Sequence, residues 1–86
     1  MKKILLDTNA YGAFLAGDKV VYDALAKAET VYFSVVVIAE LLSGFKCGNK
    51  FSQNSAVLNR FLERPTVKIL EISLETAEIF AEVKNQ

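Results

Sequence analysis

The sequence predicts an α/β domain: a parallel sheet whose strands are joined by helical crossovers. Two observations predict it. Short strand-like runs alternate with stretches of helical period along the whole chain, which is the pattern of repeated β-α units. The 86 residues are 52% hydrophobic, enough to fill one core and too few for two, so residues 1–86 read as one small domain or part of one.

The first strand is residues 3–6, KILL, closed by Asp7. Residues 9–15, NAYGAFL, form a short turn or helix weakened by Gly12. Gly17 and Asp18 then punctuate the chain, with Asp18 placed to cap a helix. From Lys19 onward Val20, Val21, Ala24, Leu25 and Ala28 share one helical face. Residues 31–40, VYFSVVVIAE, can be read in two ways. Propensity makes VYFSVVVI one strand. The pairs Val37–Leu41 and Ile38–Leu42 instead let Ser34 end a strand and cap a helix running to about Phe45. Residues 44–49, GFKCGN, end that element. Residues 55–64 form an amphipathic helix with Val57, Leu58, Phe61 and Leu62 inward, stopped at Pro65. Residues 67–72 are a third strand, and Ser73 caps a last helix carrying Leu74, Ala77, Ile79, Phe80 and Val83. The expected order is three strands, each followed by helix, with the chain stopping after the helix that follows strand three.

Composition excludes several kinds of chemistry. Histidine is absent, which removes imidazole bases, Ser-His-Asp triads and His-bound zinc. One cysteine, Cys47, forbids an internal disulfide and fits a reducing compartment. Asp7 interrupts the N-terminal apolar run too early for a secretory segment, and nothing approaches a membrane span of about 20 residues. A cytoplasmic protein with no membrane partner is expected. The formal net charge is zero, but residues 46–68 hold Lys46, Lys50, Arg60, Arg64 and Lys68 against Glu63, a net +4. That basic middle either touches phosphates or is an ordinary solvated surface.

Two acids stand out. Asp7 follows a buried strand, at the edge where open parallel sheets bind ligands. The alternatives for it are a metal, a basic partner, or the cap of the next helix, the last being the more usual use of such a residue. Glu40 sits among apolar residues, so it belongs in a pocket or on a helix face at the sheet rim. If Ser34 caps that helix, Glu40 can approach Asp7, and a hard divalent ion would relieve the repulsion between them. Glu75, Glu78 and Glu82 have the spacing of a solvated helix face, and with Glu71 they are set aside as ligands. Tyr11, Phe14, Tyr22 and Tyr32 are expected to be core or partner-facing.

The stretches ILLDTNAYGAFLAGD and VYFSVVVIAELLSGF resemble the opening of a PIN-domain ribonuclease, most closely the VapC-type toxins of toxin–antitoxin pairs. The resemblance implies the strand–Ser–helix reading of residues 31–45 and a three-layer, PIN-like fold. It implies metal-assisted RNA hydrolysis with Mg²⁺ or Mn²⁺. Asp7 and Glu40 match the first two metal-binding acids, and Thr8 and Asn9 the polar residues beside the first. Ser43 and Lys46 are expected near substrate. A third acid, which the family carries in a later Thr-x-Asp-type stretch, has no counterpart here. The chain therefore resembles about the first two thirds of the domain, and weakened catalysis or a purely antitoxin-binding role is expected. The family sheet also flanks strand one with a strand from after residue 86. An open strand-one edge is thus expected, with homodimerisation or completion by a second chain.

Overall fold

The computed structural model describes residues 2–84. Eight elements follow in order: β1 (Lys3–Leu5), α1 (Thr8–Leu15), α2 (Lys19–Lys27), β2 (Thr30–Ser34), α3 (Val35–Lys46), α4 (Phe51–Leu62), β3 (Val67–Leu70) and α5 (Leu74–Lys84). The sheet is parallel with order β1-β2-β3; Leu5 pairs with Tyr32 and Ser34 with Leu70. All three strands therefore end on the same side, which puts Asp7, Ser34 and Glu71 along one carboxyl edge.

Local chemistry explains the boundaries. Asp7 is the N-cap of α1: its Oδ1 accepts from the Ala10 N–H at 2.7 Å. The helix thus begins at Thr8 and absorbs Gly12, earlier and firmer than the weak turn expected. It ends in a Schellman turn, in which the Gly17 N–H bonds the Phe14 carbonyl and the Asp18 N–H the Ala13 carbonyl. That geometry needs the left-handed φ of +86° at Gly17. Asp18 then caps α2 by accepting from Val21 N–H at 3.1 Å. The ambiguity of residues 31–40 resolves at Ser34, whose Oγ accepts from Val37 N–H at 3.1 Å and starts α3. One difference is larger: α4 begins at Phe51, a turn before the expected start at residue 55, with no side-chain cap. Residues 51–54 supply no inward apolar repeat, so only the backbone marks that first turn. Ser73 caps α5 as expected, its Oγ accepting from Thr76 N–H at 3.1 Å.

One sheet face carries the main core. Val31 and Phe33 are buried there with Leu6, Tyr11, Leu25, Ala28, Leu58 and Phe61, so α1, α2 and α4 cover it. Tyr11, Phe33 and Phe61 meet edge-on with centroids 5.4 to 5.8 Å apart, a favourable quadrupole arrangement. The opposite face is covered by α5, which Lys3 joins to β1 through Glu82 at 3.7 Å. The result is three layers, as expected.

Candidate active site at the carboxyl edge of the sheet

Asp7, Leu5, Leu6, Tyr32, Ser34, Val37 and Phe80 enclose a cavity of about 150 Å³ at the carboxyl edge. A larger apolar cavity of about 580 Å³ adjoins it, sharing Ser34, Val37 and Phe80 and extending to Leu70 and Ile72. Asp7 is exposed, and its Oδ1 is committed to the helix cap. Its Oδ2 has no protein partner among the described residues, so one carboxylate oxygen remains available to a ligand. The cap and ligand readings of Asp7 are thus compatible.

Glu40 lies on α3 about 9 Å along the axis from the Ser34 cap. It stands one turn beyond Val36 and Val37, which line the larger cavity. The side chain is exposed, with Val36, Ala39 and Ser43 beside it on the outer face. The apolar surroundings in the sequence do not become a pocket around it, because Val37, Ile38, Leu41 and Leu42 turn to the core and leave Glu40 in solvent. Thr8 is half-buried at the start of α1, Asn9 is exposed, and neither lines the cavity. Ser43 is exposed one turn past Glu40. Lys46 is the outlier: it ends α3, about 18 Å along the helix from Ser34, with its Nζ 5.6 Å from the Phe51 ring centre. Its cation lies at the α3–α4 corner, away from the two cavities.

Among the described residues no group of three or more Asp, Glu, His or Cys side chains stands close enough to hold a metal ion. The available donors are hard carboxylate and hydroxyl oxygens, a set that suits Mg²⁺ or Mn²⁺ and not zinc. Mg²⁺ commonly takes one or two protein carboxylates and fills its other positions with water and phosphate oxygens; Asp7 lines the smaller cavity, whereas Glu40 lines neither cavity.

Two residues gain detail from the structure: Glu71, set aside as a ligand on the sequence, and Tyr11, expected in the core or facing a partner. Glu71 closes β3 at the same edge and lines the larger cavity, and its backbone carbonyl accepts from the Thr76 hydroxyl. The signal was present, since it follows an apolar strand as Asp7 does. Tyr11 is fully buried with its hydroxyl unpartnered among the described residues. Burial pushes its pKa above the usual value, and the Arg64 charge nearby opposes that rise.

This fold, with a lone acid at the end of β1 and a second on the helix after β2, defines a class of protein. The PIN domain family model matches residues 4–86, and the chain belongs to that family. Among solved structures it is similar to VapBC2 from Rickettsia felis, in a crystal structure bound to a DNA fragment from their promoter, with TM-score 0.70 and 28% identity. The match covers 96% of this chain and 64% of the other, so this chain spans about two thirds of that structure's length. No curated protein matches the sequence. Among the described residues no helix is long and apolar enough to cross a membrane.

Proposed function

We propose that the chain acts as a metal-dependent endoribonuclease toxin in the cytoplasm, restrained by a cognate antitoxin. One observation carries the reading: a carboxylate oxygen of Asp7 without a protein partner among the described residues, beside a cavity at the carboxyl edge, with Glu40 on the helix that starts from the same edge. Membership of the PIN domain family and the likeness to VapBC2 support it.

In this reading Asp7 and Glu40 would hold Mg²⁺ or Mn²⁺, which when bound would supply Lewis-acid activation of a water and charge neutralisation at the phosphate. The Asp7 cap to Ala10 occupies one carboxylate oxygen and leaves the other for the ion. Thr8, Asn9 and Ser43 offer hydroxyl and amide groups to the RNA, and Lys46 its cation to a more distant phosphate. Two acids hold a metal weakly, so hydrolysis by this chain is slow. The chain pairs with a second copy or another polypeptide.

The lack of a three-acid group among the described residues favours a second reading, in which the chain binds the antitoxin and cuts nothing. RNA cleavage assayed with Mn²⁺ separates the two. Cleavage lost in both Asp7→Asn and Glu40→Gln supports the nuclease; cleavage indifferent to both removes the assignment, and no cleavage by the unmodified chain favours the binding module.

A further inference from the structure

Arg64 lies far from these acids in the sequence and is held in an unusual way. Its guanidinium carbon sits 4.8 Å from the Phe61 ring centre and 5.4 Å from that of Phe14. Phe14 in turn stacks on Tyr22, nearly parallel at 7° with centroids 6.4 Å apart. Phe14, Tyr22, Leu25, Ala26 and Arg64 line a cleft of about 300 Å³ where α1, α2 and the end of α4 meet. Two rings therefore flank the guanidinium, while the residue itself is exposed. Its N–H fork meets no carboxylate or other acceptor among the described residues. A cation positioned in this way loses little entropy on binding an anion, and its planar fork suits phosphate oxygens.

Two more observations choose between a phosphate chain and a protein carboxylate. Arg60 lies one turn back from Arg64, exposed and without an ion pair among the described residues. Like charges at that spacing repel, and a polyanion crossing both relieves the repulsion. Tyr22 is 58% exposed, with Phe14 behind it, so its ring offers a surface on which a base can stack. Paired cations beside an exposed aromatic ring match single-stranded nucleic acid better than one acidic side chain.

We propose that the Arg64–Tyr22 cleft binds single-stranded RNA, with Arg60 and Arg64 on successive phosphates and a base stacked on Tyr22. This rests on the ribonuclease reading and adds a substrate-holding site away from the acids. The test is binding of a fluorescent oligouridylate to the chain in EDTA, where hydrolysis is excluded, over a range of salt concentrations. Arg60→Gln and Arg64→Gln should each lower the slope of log K against log salt by about 0.7. Tyr22→Ala should weaken binding by about 5- to 150-fold. Arg64→Lys should keep the slope and lose affinity, because a lysine retains the charge without the planar fork. Lys68→Gln, on the opposite sheet face, should change neither, and circular dichroism confirms that each variant folds. RNA binding unchanged in Arg60→Gln, Arg64→Gln and Tyr22→Ala overturns the cleft and leaves the nuclease reading standing. Failure to bind RNA, with capture of an oligoglutamate peptide instead, overturns it in favour of an acidic protein partner. The nuclease reading fails separately, if Mn²⁺-dependent cleavage ignores Asp7.

Discussion

Asp7 performs a structural task whether or not it binds metal, and the two tasks can be separated by substitution. Asparagine caps helices about as well as aspartate but carries no charge. Asp7→Asn should therefore leave the denaturant midpoint nearly unchanged, whereas Asp7→Ala should cost about 1 kcal/mol. Equal losses in the two variants would show that the charge, and not the cap at 2.7 Å, stabilises α1. Tyr11 offers the opposite case. Its ring packs edge-on against Phe33 and Phe61, but its buried hydroxyl has no partner among the described residues. A buried unsatisfied hydroxyl costs about 1–3 kcal/mol, so Tyr11→Phe should be neutral or stabilising in chemical denaturation. A loss above about 1 kcal/mol would reveal a hydroxyl partner, such as a bound water. Burial raises the Tyr11 pKa, so the folded state holds this proton more tightly than the unfolded state. The contribution is complete below about pH 10 and is lost as pH rises further. Tyr11→Phe should flatten the alkaline fall in stability, and an unchanged alkaline profile would assign that fall to other groups.

The helices and strands were legible where a side chain enforced the boundary. Asp18 and Ser73 each accept a backbone N–H three residues on, and the starts of α2 and α5 follow from those bonds; Ser34 makes the same bond, but the residues around it left strand and helix both open. The uncapped start of α4 was not legible, because Lys50 marks it with no side-chain bond. The site was legible in part. Asp7 and Glu40 stood out as acids within apolar runs, but the exposed face of Glu40 depends on which side of α3 packs, which periodicity around so many valines and leucines does not decide. The seat of Arg64 depends on contacts among α1, α2 and α4 that no local pattern encodes. Glycine chemistry gives a paired prediction for α1. A methyl group at Gly12 would meet nothing within 4 Å, so Gly12→Ala should raise stability by about 0.5–1 kcal/mol through helix propensity. Gly17→Ala must adopt the left-handed φ of +86° and should lower it by about 1 kcal/mol. Thermal denaturation of the two variants decides this, and a shift in the same direction for both would contradict the account.

At the scale of the whole molecule, the two sheet faces are unequal. Three helices bury aromatic rings on one face, while on the other Ile72 and Val36 are exposed at the larger cavity and Leu74 is exposed at the start of α5. Apolar surface gathered in this way favours association. Sedimentation at low micromolar concentration should show species larger than a monomer, and Ile72→Lys should shift them toward monomer; a single monomeric species for the unmodified chain would show that this face is stable in water. The same edge of the sheet carries the central claim, that Asp7 and Glu40 together hold a divalent ion. The most direct measurement is Mn²⁺ titration followed by electron paramagnetic resonance, which reads the free ion without any need for catalysis. The account predicts weak binding of one ion per chain, lost in both Asp7→Asn and Glu40→Gln while each variant keeps its fold. Binding of equal strength in the unmodified chain and in both variants would contradict it.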